Sequence, residues 1–239
     1  MNSNNDYALI DYSIQDGQKH PVAILCPGGG YWFVSVENEG TDFAKALNDL
    51  GISAFIVCYR VAEKALFPNP QDDLAKAVQE IINMSEEKNL DITNYSIWGS
   101  SAGGHLAASF CTEAVGYPKY ELPKPNTLVL VYPVVTMGEF THAGSKYNHL
   151  GKQPSEEILD LLSVEKQVTE NYPATFLWCG DADTCVPPKN SHLLAEALQT
   201  AGVPHKFIEY PGVDHGVGLG IGTASEPWFY EAVKFWLER

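Results

Sequence analysis

Residues Tyr95 to Phe110 read YSIWGSSAGGHLAASF, and this stretch decides the fold. Its first part is short and apolar, as a strand buried on both faces should be. Its second part places Leu106, Ala107 and Phe110 on one helical face. Between them lies Gly99-Ser100-Ser101-Ala102-Gly103, a G-x-S-x-G pentapeptide. Alone it is a weak signal in a chain with 20 glycines. Set between a buried strand and a helix, it becomes specific. A backbone that reverses so sharply needs small residues on both sides of the serine. The serine then projects beside the helix N-terminus, where partial positive charge favours an oxyanion. Ser101 is the expected nucleophile; the alternative is a plain helix N-cap. Ser100 stands at the wrong position of the motif and is read as packing or hydrogen bonding.

The same alternation runs along the whole chain. Apolar, β-branched runs occupy residues 22–27, 53–59, 95–99, 127–133, 174–180 and 205–211. Helical patterns lie between them. Residues 41–51 put Phe43, Ala46, Leu47 and Leu50 on one face and end at Gly51. Residues 70–87 start at Pro70, carry Asp72 and Asp73 in the first turn, and align Leu74, Ala77, Val78, Ile81 and Ile82. Residues 189–202 and 225–239 read the same way. This is the pattern of an α/β fold: a doubly wound, mostly parallel sheet flanked by helices. Residues 7–14 alternate more loosely and are read as an antiparallel edge strand. Residues 134–172 hold no strand, only a loop with two histidines and a short helix near 155–163. Such an excursion is expected to be lid-like. Residues 1–239 are read as one domain.

Composition narrows the partners. The chain has 239 residues, 45% hydrophobic and 19% charged, which is ample for a packed core. Net charge is −15. That field argues against nucleic acid and against an anionic membrane surface. A neutral or cationic small molecule fits better. No apolar run approaches the roughly 20 residues of a membrane helix. The N-terminus has no basic segment followed by an apolar one, and with Met1 in place a cytoplasmic protein is expected. Five cysteines without a CxxC pair suit a reducing compartment, mostly as small apolar residues. No His, Cys and carboxylate set has metal-site spacing, so no metal and no cofactor are expected. Oligomeric state is invisible here, and a homo-oligomer stays open.

A serine hydroxyl needs a base. Of seven histidines, His215 follows the last strand in a Gly-rich loop, where carboxyl ends of strands converge. His20 precedes the first core strand, and His192 and His205 belong to a helix and a strand start. His105 reads as a structural neighbour of the serine; His142 and His149 lie in the insertion, where substrate contact is one reading and a surface position the preferred one. The acid should follow another late strand, and Asp181 and Asp183 both do. Asp214 is too close to the histidine to orient it from the far side. The order Ser, Asp, His is that of one hydrolase fold among several.

On these residues the chain resembles the α/β-hydrolase superfamily, and within it small esterases of the acetyl-esterase/lipase group related to acetyl xylan esterases. The resemblance spans nearly the whole chain. It rests on PGGGYW, CYRVA, GSSAGGHLAA, VYPVV, SVEKQVTENYPATFLWCGDADTCVP, NSHLLAEALQTAGVPHKF and GVDHGVGL. In such proteins the acid lies three residues before a Val-Pro, which selects Asp183 before Val186-Pro187. Cys179 stands where many relatives have histidine, and Pro27 replaces another histidine before the glycines, as in the sugar-esterase branch. The resemblance implies an ester substrate, often an acetylated sugar, and no cofactor.

CPGGGYW, Cys26 to Trp32, is then explained. A dinucleotide loop fails because Phe33 stands where the third glycine should be, and no GK[ST] follows. An oxyanion hole fits: Gly29 and Gly30 supply backbone N–H groups and Ala102 another. Tyr31 and Trp32 are expected to wall the pocket against substrate. Two rival readings remain beside the esterase. One is an arylformamidase or peptidase-type amide hydrolase using the same triad. The other is a non-catalytic ligand-binding protein of the same fold.

Overall fold

The structure, a computed structural model, describes residues 6–239. The first five residues, on which part of the leader reading rests, lie outside the described residues. Seven strands form one sheet: β1 (Ala8–Tyr12), β2 (His20–Cys26), β3 (Ser53–Cys58), β4 (Leu90–Ser100), β5 (Thr127–Val131), β6 (Ala174–Gly180) and β7 (His205–Tyr210). Their order is β1-β3-β2-β4-β5-β6-β7. Every pairing is parallel except β1 with β3. The edge strand is therefore where its loose alternation placed it. β4 begins at Leu90, well before the apolar run at 95. Polar Asp91, Thr93 and Asn94 concealed this extension, which pairs with β2 through an irregular register.

Two apolar layers cover the sheet, as its continuous apolar strands require. On one face lie α2 (Asn69–Asn83), α3 (Ser101–Phe110) and α6 (Lys189–Thr200), through Leu74, Val78, Leu106, Phe110, Leu194 and Leu198. On the other lie α1 (Asp42–Asn48) and α7 (Trp228–Leu237), through Phe43, Leu47, Trp228 and Trp236 against Trp98 and Trp178. Leu50, expected on the buried face of α1, lies beyond the helix and is exposed. No helix among the described residues is long and apolar enough to cross a membrane.

The segment 134–172 holds two α-helices, α4 (Ala143–Leu150) and α5 (Glu156–Leu161), and a short 3-10 turn, Val164–Lys166. α5 is the expected one, capped by the Ser155 hydroxyl, which accepts the Ile158 N–H. α4 was not legible. Its cap is the His142 ring, which accepts the Ser145 N–H at 3.2 Å, and histidine is outside the usual capping set.

Candidate active site

Three of the expected residues meet at the carboxyl ends of the strands. Ser101 follows β4 at once, with φ +52°. A non-glycine residue there is strained, and its surroundings hold it. A Cβ on Gly103 would lie 2.0 Å from the Cys26 carbonyl oxygen, and one on Gly99 2.4 Å from the Gly103 carbonyl oxygen. Close approach of helix to strand, and not flexibility, requires these two glycines.

The Ser101 hydroxyl donates to His215 Nε2 at 2.8 Å. His215 Nδ1–H donates to Asp183 Oδ2 at 2.7 Å. The other Asp183 oxygen accepts the N–H groups of Cys185 and Val186 at 2.9 and 2.8 Å. The carboxylate is thus held on its far side by backbone, leaving one oxygen for the imidazole. Asp181 turns instead to the Gly212 N–H, and Asp214 accepts from Thr184 and from the His215 backbone. His20 and His192 lie elsewhere, bonded to Asp16 and Glu209. The set can pass a proton from serine to imidazole while the carboxylate stabilises the imidazolium.

Ser101 and His215 line a cavity of about 390 Å³ that Gly29 and Gly30, at φ +119° and +64°, also border. No partner takes either N–H among the described residues, whereas the Gly29 carbonyl accepts from Trp32 and Phe33. Ala102 follows the serine in the first turn of α3, where backbone N–H groups have no intrahelical acceptor. The three expected amides are therefore beside the serine and without a competing role.

Tyr31 corrects the sequence reading. It is completely buried, stacked on His149 at 4.2 Å between ring centroids, with its hydroxyl on His105 Nδ1 at 2.9 Å. It cannot wall a pocket. It anchors the glycine turn from beneath instead. Trp32, 63% exposed, does line the cavity, with Phe33 beside it.

His149 is a second correction. Expected at the surface, it has no exposed area. Its Nδ1–H donates to the Ala65 carbonyl and its Nε2 accepts from Gln71 at 3.3 Å. His105 donates through Nε2–H to the Leu162 carbonyl at 2.8 Å. These contacts fasten the inserted segment to α2, α3 and the glycine turn. Burial pushes the His105 ring down to about 4 and the His149 ring to about 3. Both must charge on unfolding below the ordinary histidine value near 6.5, so the unfolded state binds more protons. Their contribution is complete above that value and lost as pH falls toward 4 and 3. His20, raised by its hydrogen bond to Asp16 at the rim, acts in the opposite sense. Urea midpoints are expected to fall between pH 6.5 and 5, where the two deeply buried histidines outweigh His20 and the burial-raised carboxyls of Glu39 and Glu165, which act in the opposite sense. A flat or rising midpoint over that window would contradict the assignment.

One residue gave no sequence signal. Glu39 is 4% exposed and sits in a π-helical turn, Glu37–Thr41. Such turns recur at functional sites. Its Oε2 accepts the Gly28 N–H at 2.7 Å, and its Oε1 accepts the Tyr132 hydroxyl at 2.8 Å. The Tyr132 hydroxyl in turn accepts the Gly218 N–H at 3.1 Å. The Tyr132 ring packs on the His215 ring at 4.7 Å. Asn38, in the same turn, donates to the Gly216 carbonyl at 2.9 Å. One turn thus clasps both the glycine loop and the histidine loop. Burial raises the Glu39 carboxyl above its usual range, against its hydrogen bonds from Tyr132 and Gly28.

A serine on a strand–helix elbow, a late acid and a histidine loop over a mostly parallel sheet define an α/β-hydrolase. Within that class the chain belongs to the BD-FAE family, whose description matches residues 10–198. It is 34% identical over 229 residues to an endo-1,4-beta-xylanase B of Butyrivibrio fibrisolvens, covering 92% of this chain and 36% of that protein. It is 31% identical over 220 residues to an acetylxylan esterase of Xylanibacter ruminicola, covering 89% of this chain and 44% of that one. The chain thus spans less than half the length of these two relatives. The solved acetyl ester-xyloside bifunctional hydrolase of Caldicellulosiruptor lactoaceticus superposes with TM-score 0.88 at 33% identity, over 96% of this chain and 87% of that one.

Proposed function

We propose that this protein is a serine esterase that removes short acyl groups, acetyl above all, from sugars or xylo-oligosaccharides. The observation that carries it is the continuous relay Ser101–His215–Asp183 opening on a cavity bordered by unclaimed amides. The names of the relatives support ester hydrolysis and, for one, acetylxylan. In this reading the Ser101 oxygen attacks the ester carbonyl while His215 Nε2 takes its proton. The carbonyl oxygen becomes an oxyanion facing the N–H groups of Gly29, Gly30 and Ala102. Collapse breaks the C–O bond, and the alcohol leaves with the proton from His215. Water then attacks the acyl-enzyme and gives a proton to His215, which returns it to the Ser101 oxygen as the acyl C–O bond breaks and the carboxylic acid leaves. The thiols are all unpaired, which suits a reducing compartment and hence action in the cytoplasm on imported substrate.

The test is turnover of p-nitrophenyl acetate together with labelling by an alkyl fluorophosphonate, located by mass spectrometry. Both activities and a single label on Ser101 are expected. A label elsewhere, or faster turnover of N-formylkynurenine than of acetyl esters, would sink the reading.

A further inference from the structure

A second cavity of about 270 Å³ adjoins the catalytic one. Trp32 and Asn148 line both. Asn148 also donates to the Gly30 carbonyl at 2.9 Å, so the groove shares a wall with the glycine loop. Its remaining surface comes chiefly from Leu66 and Tyr147, with Glu63 and Lys152. Trp32, Tyr147 and Leu66 are 63%, 53% and 48% exposed. Three large apolar side chains left in water around one groove mark a binding surface. Two are aromatic, and both present polar groups as well, which suits a ligand with an apolar face and hydroxyl edges. The two charged residues are of opposite sign, so the groove favours neither an anion nor a cation. The backbone beneath is fixed: Ala62 N–H donates to the Tyr31 carbonyl at 2.8 Å, and Tyr31 is buried.

We infer that this groove is a distal sugar subsite, and that the alcohol part of the substrate is a neutral oligosaccharide of at least two rings. The acylated ring sits over Ser101, and the next ring lies beyond Trp32, against Tyr147. This rests on the esterase reading for its chemistry, while the binding itself does not.

The experiment compares kcat/KM on acetylated xylo-oligosaccharides of increasing length with that on p-nitrophenyl acetate and p-nitrophenyl octanoate. In the wild type, KM should fall as a second ring is added. Tyr147→Ala should remove that gain, losing about tenfold more on the oligosaccharide than on p-nitrophenyl acetate. Trp32→Ala should act in the same direction. Melting temperatures check that both variants fold. No dependence on sugar length, equal losses on both substrates, or a selective loss on the octanoate would overturn the inference. Calorimetry of the Ser101→Ala variant with deacetylated xylo-oligosaccharides separates the two readings. Binding that Tyr147→Ala weakens supports the subsite even if no ester is hydrolysed. Absence of binding overturns the subsite even if esters are.

Discussion

Asp183→Asn is expected to lower kcat on p-nitrophenyl acetate by about 10⁴-fold with little change in KM. The direction follows from how the carboxylate is held. One Asp183 oxygen accepts two backbone N–H groups, from Cys185 and Val186. An asparagine must put its carbonyl oxygen there, because its NH₂ would face two donors. The NH₂ then points at His215 Nδ1, which has to become an acceptor. The proton moves to Nε2, the nitrogen that must take the serine proton, and the base is blocked in the wrong tautomer. Asp183 is 7% exposed, so water cannot readily take over the role. The control is Asp181→Asn, which touches only the Gly212 N–H and should change kcat by no more than about twofold. Steady-state kinetics on the two purified variants decides. Near wild-type kcat in Asp183→Asn, or a comparable loss in Asp181→Asn, would remove Asp183 from the relay.

Much of this was legible in the chain because it is local. Continuous apolar runs mark strands covered on both faces, and small residues around Ser101 mark a tight reversal. His215 and Asp183 could be placed because each follows a strand in the late part of the sheet. What failed depends on distant partners. Tyr31 follows Gly29 and Gly30, which do line the cavity, and nothing in the sequence tells that its ring turns inward. Its partners, His105 and His149, lie far along the chain. His149 looked like a surface residue because α4 itself was hidden by an unusual cap. Glu39 lies in a turn with i→i+5 bonding, where neither the 3.6 nor the 2.0 period applies.

Glu39 carries the second large effect. Glu39→Ala should lower kcat by about 10²-fold, comparable to losing one oxyanion donor, while KM for p-nitrophenyl acetate stays close to wild type. The carboxylate holds two buried donors, the Gly28 N–H and the Tyr132 hydroxyl. Removing it leaves the Gly28 N–H and the Tyr132 hydroxyl buried without an acceptor, about 1–3 kcal/mol for each group left unsatisfied. The chain relieves this by moving, and what moves is the loop bearing Gly29 and Gly30 and the tyrosine packed on His215. Ground-state binding of a small ester makes little use of either, so the loss falls on the step in which the oxyanion forms. Glu39→Gln keeps an acceptor for Gly28 and offers an amide toward Tyr132, whose oxygen has room for a second donor. It should lose only about tenfold, and the two variants should rank the same way in melting temperature. Thermal melts and kinetics on the folded fraction separate positioning from simple support. A folded Glu39→Ala enzyme with wild-type kcat would reduce the π-turn to scaffolding. A kcat deficit that Gln largely restores would tie the oxyanion loop and the histidine loop to one buried carboxylate.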